Sequence, residues 1–159
     1  MDMTLLNSFS EIPLWEVLLR VLLAGFLAFL MGYERQSKGK PMGCRSYTIV
    51  SVTTCLLAIM ALELFAQYGN GNTDEFLNLD LGKIIAGTIT GIGFLGAGAI
   101  LKVDDHKVIG TTTGSSIWAA GIFGLVIGFG YYALAVIGYI TLLAIVWGIS
   151  KLEINPEEN

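Results

Sequence analysis

Five apolar segments, each long enough to cross a lipid bilayer, constrain this chain more than any other feature. They run roughly over residues 14–32, 46–66, 81–101, 111–129 and 131–149. A helix needs about 20 apolar residues to span the bilayer core, and an open sheet edge there would leave backbone groups unpaired. Hydrophobic residues make up 54% of the 159 residues, and charged residues only 14%. The sequence therefore predicts an all-α membrane protein, a bundle of about five transmembrane helices.

A single transmembrane unit accounts for nearly the whole chain, because the connections between the segments are short. Residues 1–150 are predicted to form this domain, and residues 151–159 a short cytoplasmic tail with no soluble C-terminal domain. The net charge of -4 offers no basic surface for a nucleic acid. The lipid bilayer is therefore the first partner that the composition predicts.

The basic residues predict which way the bundle faces. Lys83 alone lies beside a connection on one side of the predicted bundle, whereas the connections on the other side are basic. Cytoplasmic loops carry the excess of Lys and Arg in membrane proteins. We therefore expect the N-terminus outside and the C-terminus in the cytoplasm. The basic residues of the predicted cytoplasmic side are Arg35, Lys38, Lys40, Arg45, Lys102, Lys107 and Lys151.

Arg20 lies inside the first segment, where an unpaired guanidinium near a helix centre costs on the order of 3 kcal/mol on insertion scales. Two arrangements would relieve that cost. The side chain could extend along its own helix towards the outer surface, aided by Glu16 four residues earlier. It could instead face the bundle interior and pair with Glu16 or with Glu63, near the outer end of the second segment.

Glu34, Arg35 and Arg45 frame the connection between the first two segments. The arginines could be ordinary anchors at the cytoplasmic surface, and Glu34 a solvated charge at a helix end. Alternatively, Glu34 pairs with Arg35 or Arg45 in a cytoplasmic-side site. That pairing leaves one guanidinium free for a phosphate group or a carboxylate of a partner protein. The spacing alone does not choose between these arrangements.

The stretch GIGFLGAG, residues 91–98, fits the G-x-G-x-x-G pattern of dinucleotide-binding loops. Such a loop also needs a buried strand before it and an acidic residue about 20 positions later, and this apolar segment offers neither. Gly87 and Gly91 form a G-x-x-x-G pair, which lets transmembrane helices approach closely. We therefore expect the Gly-rich third and fourth helices to use glycine for packing. A second possibility is that residues 91–98 break the helix and line a polar path.

The sequence predicts no enzyme, no cofactor site and no metal site. Hydroxyls open the fourth segment at residues 111–116, and their common use is helix capping and hydrogen bonding between helices. A serine nucleophile would need an aligned base, but the sole histidine, His106, lies in a polar loop. Asp104, Asp105 and His106 are interpreted as a solvated turn.

Five landmarks in the same order resemble the MgtC/SapB family of bacterial membrane proteins. The similarity covers the chain from Leu14 to about Ile149. Ser46 and Gly114 depart from the pattern, since threonine and alanine are expected there. The landmarks are Arg20, GYER at residues 32–35, the step from glycine to arginine at 43–45, GIGFLGAGAIL at 91–101, and IGTTTGSSIWAAGIFG at 109–124.

The resemblance implies a non-enzymatic, multi-pass protein of the bacterial plasma (inner) membrane. Members of the family are associated with adaptation to low magnesium and with survival inside host cells, and some are thought to restrain the membrane ATP synthase. Longer members continue into a soluble C-terminal domain, whereas this chain stops at Asn159. Carried over by position, the family pattern marks Arg20, Gly32, Glu34, Arg35, Arg45, Gly91, Gly93, Phe94, Gly96, Gly98, Gly110, Thr112, Thr113 and Trp118, to which the packing argument adds Gly87.

Two classes of function stay open. The first is a regulatory protein that binds another membrane protein, with the ATP synthase as a candidate, through the polar cluster of Arg20, Glu34, Arg35 and Arg45. The second is a small ion transporter or channel whose path is lined by the Gly-rich third helix. The spacing of small residues also predicts a homo-oligomer, most simply a homodimer.

Cysteine labelling tests the predicted orientation. In a variant without Cys44 and Cys55, the substitutions Lys38→Cys and His106→Cys are expected to be protected from an impermeant thiol reagent in intact cells. Asn72→Cys should react, because residue 72 lies on the predicted outer side. Labelling after permeabilisation serves as the control for reactivity. Reaction at residues 38 and 106 in intact cells would show that the bundle faces the other way.

Overall fold

The computed structural model describes residues 12–40, 42–68, 80–104 and 107–152. Each of its five helices is long and apolar enough to cross a membrane, which confirms the predicted all-α membrane bundle. The helices are α1 Leu14–Ser37, α2 Cys44–Tyr68, α3 Leu81–Gly98, α4 Thr111–Gly128 and α5 Tyr132–Leu152. The predicted outer loop around residue 74, the turn residues Asp105 and His106, and residues 153–159 of the predicted tail lie outside the described residues.

Local sequence signals set the helix boundaries. Pro13 directly precedes α1, a position that suits its fixed φ. The Asp80 side chain accepts a hydrogen bond from the N–H of Lys83 (3.2 Å) and so caps the start of α3. Gly130, with φ of +86°, lies between α4 and α5. This left-handed conformation suits glycine and lets α5 turn back directly after α4, as the short connection requires.

A short hairpin separates α3 from α4, and the sequence analysis does not predict it. Strand β1, Leu101–Asp104, pairs antiparallel with β2, Lys107–Ile109. The predicted third span runs to residue 101, whereas α3 ends at Gly98. Apolar residues continue past the helix end into the strand, so hydropathy alone could not separate the two elements.

Successive helices run in opposite directions, so the bundle has two ends. At one end, the Gln36 side chain of α1 accepts a hydrogen bond from the first N–H of α2 (3.2 Å). At the same end, a Cβ on Gly96 of α3 would lie 2.9 Å from the carbonyl oxygen of Gly114 in α4. We call this the Arg35 end. At the opposite end, the Arg20 end, Arg20 of α1 contacts the end of α4 and the start of α5.

Helix α4 is the central element, since it packs against α1, α2, α3 and α5. Its face towards α2 carries Gly124 and Gly128. A Cβ on Gly124 would lie 2.1 Å from the carbonyl oxygen of Ser51, and one on Gly128 would lie 2.5 Å from that of Cys55. Small residues permit this close approach of transmembrane backbones. The glycine pair of the fourth segment therefore packs α4 against α2.

Helix α3 lies at the edge of the bundle, with Ile92 and Gly96 as its buried residues. The sequence analysis left open a helix broken at residues 91–98. In the structure α3 is instead continuous to Gly98. The open glycines do not pack the helices of one chain, and their packing against a second copy stays a prediction. Four glycines have no atom within 4 Å of a Cβ placed on them: Gly87, Gly91, Gly93 and Gly98.

Replacing Gly124 by alanine is expected to destabilise the protein, because the new Cβ would collide with the α2 backbone. Overpacking of this kind lowers the free energy of unfolding by about 1–3 kcal/mol. Gly148→Ala is the matched control, since its position in α5 is open and alanine favours a helix by about 1 kcal/mol over glycine. Thermal unfolding of both variants in one detergent measures the difference. Equal midpoints would contradict the packing of α4 against α2.

Candidate functional site

Arg20 is buried at its end of the bundle, with 7% of its surface exposed. Its Nη1 donates a hydrogen bond to the Gly128 carbonyl at the end of α4 (2.6 Å), and its Nε donates to the Tyr132 hydroxyl (3.0 Å). Its Nη2 forms an ion pair with Glu16 (2.5 Å), which also accepts a hydrogen bond from the Tyr132 hydroxyl (3.1 Å). Of the two predicted arrangements, the structure contains the interior one, with Glu16 as partner.

This cluster, the Arg20 latch, joins α1, α4 and α5. The last carbonyls of a helix lack partners within it, and the helix dipole favours a cation there. Gly130 keeps the approach open, because a Cβ there would lie 3.2 Å from Nη2 of Arg20. Glu63, the other predicted partner, instead accepts a hydrogen bond from the N–H of Ile12 (2.9 Å). Each guanidinium nitrogen donates to an acceptor within the protein, and two of these acceptors lie on other helices than α1. The latch therefore connects the helices.

A second ion-pair cluster lies at the Arg35 end. Arg35 is 6% exposed, and its Nε lies 2.9 Å from Oε2 of Glu34. The other oxygen of Glu34 pairs with Lys38, four residues later and largely at the surface. Ser116 of α4 and Val146 of α5 line a small void beside Glu34 and Arg35. Glu34 therefore links a buried cation to a surface cation.

Arg45 does not join this cluster. Its side chain is exposed in the first turn of α2, and the ion pairs that the described residues give to Glu34 go to Arg35 and Lys38. Of the two predicted pairings, the structure therefore contains Glu34 with Arg35, and the pairing with Arg45 is wrong. The neighbouring residues on α1 satisfy the carboxylate locally. The four polar residues predicted as one cluster separate into the latch, the Arg35 ion pair and an exposed arginine.

An open groove of about 270 Å³ lies between α1 and α5 beside this ion pair. Glu34 and Lys38 line its α1 side, and Leu143 and Trp147 lie on its α5 side. Because α5 packs chiefly against α4, much of its length faces outward. The groove thus presents an apolar wall with charges at its rim, a surface that suits contact with lipid or with another helix.

The remaining predicted residues lie in other settings. Gly96 packs against Gly114, and Gly110 precedes α4 in a left-handed conformation with φ of +89°. Thr113 is buried, with 1% of its surface exposed. The predicted residues that project from the helix surfaces are Phe94, Thr112 and Trp118.

Several polar side chains that connect the helices are absent from the predicted set. Tyr47 and Thr54 of α2 donate hydrogen bonds to the carbonyls of Thr113 (3.5 Å) and Gly121 (2.9 Å) in α4. Ser51 donates to a carbonyl of α1 (3.1 Å). These three residues recur at spacings of four and three positions in an otherwise apolar segment. That spacing places the three side chains on one helix face, and it could have predicted a polar contact with a neighbouring helix.

Comparison with known proteins matches residues 21–154 to a family described as the MgtC family. An uncharacterised protein of Haemophilus influenzae is 37% identical, over 78% of this chain and 51% of the relative. The Escherichia coli K12 protein named "Putative magnesium transporter YhiD" is 34% identical, over 82% and 59%. Protein SapB of Bacillus subtilis is 32% identical, over 74% and 49%. The chain spans about half the length of these relatives, and no solved structure matches it.

Arg20→Met is expected to lower the unfolding midpoint more than Tyr132→Phe does. The first change leaves the buried Gly128 carbonyl without its donor, and an unpaired buried acceptor costs about 1–3 kcal/mol. It also removes the cation that pairs with the partly exposed Glu16. The second change removes one hydroxyl and costs about 1 kcal/mol. Thermal unfolding in detergent measures both. A midpoint for Arg20→Met equal to that of the unchanged chain would mean that the latch does not stabilise the fold.

Proposed function

Since this chain belongs to the MgtC family, we propose that it is a non-enzymatic protein of the bacterial plasma membrane that supports adaptation to low magnesium or to intracellular stress. It does so by contacting other membrane proteins, with the ATP synthase as a candidate partner. The contact surface lies at the Arg35 end. We further propose that the chain forms a homodimer through the open glycine face of α3, because small residues let helices of two copies approach closely.

The observation that carries the proposal is the division of charge at the Arg35 end. Arg35 is buried and paired with Glu34, whereas Arg45 and Lys38 face outward. An exposed guanidinium can bind a partner carboxylate through two parallel hydrogen bonds. The groove between α1 and α5 adjoins Lys38. An apolar groove with a charged rim has the composition of a protein interface, in which polar groups surround an apolar centre.

The placement of oxygen ligands supports an indirect role in magnesium adaptation. Magnesium requires octahedral oxygen coordination and dehydrates reluctantly. Glu16, Glu34 and Glu63 lie within two turns of an end of α1 or α2. Among the described residues, no group of three or more His, Cys, Asp or Glu side chains could hold a metal. The buried hydroxyls of Ser51 and Thr54 are engaged with backbone carbonyls.

A magnesium transporter is the second candidate. It is favoured by the name of the Escherichia coli relative and by the open face of α3, where Gly87, Gly91 and Gly98 have no neighbouring atoms. Several copies that assembled around this face could enclose a path lined by the small residues of α3.

Reconstitution in liposomes distinguishes the two candidates. We expect magnesium entry, followed with an entrapped fluorescent indicator, to equal that of vesicles without protein. The reason is that the described spans place no carboxylate near mid-membrane. Magnesium entry well above that of empty vesicles, if Gly91→Leu abolishes it, would overturn the proposal in favour of the transporter.

Growth in low magnesium tests the contact surface. In cells whose growth depends on this protein, Arg45→Gln and Glu34→Gln are expected to remove most of the growth support without loss of membrane abundance. Arg45 is exposed, so its contribution to folding is small. Glu34 is the partner of the buried Arg35, so the growth result for Glu34→Gln is compared only at equal membrane abundance. Lys83→Gln, an exposed lysine in the first turn of α3, is the matched control. Full growth support by both variants would contradict a contact role for these charges.

A further inference from the structure

The groove between α1 and α5 lies where both helices reach the Arg35 end of the bundle. Lys38 directly follows the last residue of α1, and Trp147 lies within two turns of the end of α5. The Trp147 side chain is 65% exposed, and tryptophan is enriched at membrane–water interfaces. The groove therefore opens towards the bilayer at the depth of the lipid headgroups.

Below its rim the groove is apolar. Its α5 side is formed by Leu143, Ala144, Val146 and Trp147. The volume of about 270 Å³ suits part of one acyl chain. A helix with its side chains is about 10–12 Å across and could insert only single side chains. The shape of the groove therefore favours a lipid chain as its occupant.

The charged residues of α1 leave one positive charge at the rim of the groove. Oε2 of Glu34 pairs with Arg35 (2.9 Å), and Oε1 pairs with Lys38. One carboxylate thus serves two cations. The remaining lining residues that the structure describes are uncharged. An anion at the rim would complete the charge balance.

The cation that is available to such an anion is Lys38 and not Arg35. Arg35 is buried, and its separation from Glu34 would leave an unpaired charge inside the bundle. The small void beside this pair shares Glu34, Leu143 and Val146 with the groove, so the buried pair lies at the inner side of the groove. The Lys38 side chain is 43% exposed. Its long stem can lie along an apolar wall while its ammonium group reaches the surface.

We propose that this groove binds one anionic phospholipid, with an acyl chain against α5 and the phosphate on Lys38. Basic pockets between transmembrane helices bind anionic headgroups. The phosphate supplies the negative charge that the α1 residues lack, and it accepts a charge-assisted hydrogen bond from the ammonium group. A zwitterionic phospholipid brings no net charge to the rim. The inference does not rest on the proposed protein contacts, since Arg45 does not line the groove and stays available to a partner protein.

Lipid retention tests the proposal. The full chain is placed in nanodiscs of phosphatidylcholine with a minor fraction of phosphatidylglycerol, and native mass spectrometry counts the phospholipids that each chain retains after release into detergent. Lys38→Gln removes the rim cation. Lys40→Gln is its matched control, because Lys40 is a nearby exposed lysine that does not line the groove. Ala144→Phe fills the groove, whereas Ala133→Phe adds the same ring to an exposed position of α5 outside it.

We expect the unchanged chain to retain one phosphatidylglycerol molecule in preference to phosphatidylcholine. Lys38→Gln should weaken this retention about tenfold, as the loss of a charge-assisted hydrogen bond would. Ala144→Phe should prevent it, and the two control variants should behave like the unchanged chain. Lys38 and Ala144 are not buried, so neither variant is expected to unfold. The proposal is overturned if both lipids are retained equally, or if Lys38→Gln retains as much phosphatidylglycerol as Lys40→Gln.

Fluorescence quenching tests the position of the lipid. Trp15 and Trp118 are exposed and can be replaced by phenylalanine, which leaves Trp147 in the groove as the reporter. Phosphatidylglycerol with brominated acyl chains should quench Trp147 more strongly than brominated phosphatidylcholine at the same fraction, and Lys38→Gln should remove the difference. Equal quenching would contradict the proposal. A dimer that Ala144→Phe dissociates, without retained phosphatidylglycerol, would overturn it in favour of a second copy in the groove.

Discussion

The fold depends on how closely other helices approach the backbone of α4. Gly124 and Gly128 lack the side chains that would hold α2 away, so carbonyls of α2 occupy the space of the missing Cβ atoms. Between helices in lipid, such packing takes the place of the hydrophobic effect.

The same absence of side chains leaves the α4 carbonyls accessible. Thr54 donates to that of Gly121 and Arg20 to that of Gly128. A carbonyl has two lone pairs, so it can accept these bonds while it keeps its place in the helix. Helix α4 is thus both the packing surface and the hydrogen-bond acceptor of the bundle.

The two buried arginines therefore have different consequences for the fold. Arg20 contacts α4 and α5 as well as its own helix, so its loss would loosen three elements at once. The Arg35 ion pair is formed with Glu34, its neighbour in α1, and such a pair does not connect two helices. Glu34 also shares its carboxylate with Lys38 at the surface. The loss of Glu34 would thus leave the buried Arg35 without its partner, but would break no ion pair between helices. For this reason we propose the contact surface at the Arg35 end, whereas the Arg20 end joins the helices.

The number and order of the helices follow from segment length and apolarity, because a span needs about 20 apolar residues whatever its neighbours are. The contacts within the site do not follow in this way. Tyr132 lies 112 residues after Arg20, and its hydroxyl reaches the guanidinium only through the left-handed turn at Gly130. The spacing of small residues also identifies a helix face, but it does not identify the helix against which that face packs. Gly124 and Gly91 both belong to G-x-x-x-G pairs, yet the first packs against α2 and the second faces away from the chain.

Unlike the Arg20 end, where the guanidinium is neutralised within the protein, the Arg35 end has positive groups without an ion-pair partner among the described residues, Arg45 and Lys40. With the orientation that the basic residues predict, this end meets the anionic cytoplasmic leaflet, whose surface potential attracts Lys and Arg. Arg45 is exposed, and charges in that setting are screened beyond a Debye length of about 8 Å at physiological ionic strength. The Lys40 side chain is exposed as well, so the same screening applies to it. An attraction of this end to an anionic surface, if it depends on these two cations, is therefore expected to weaken as ionic strength rises.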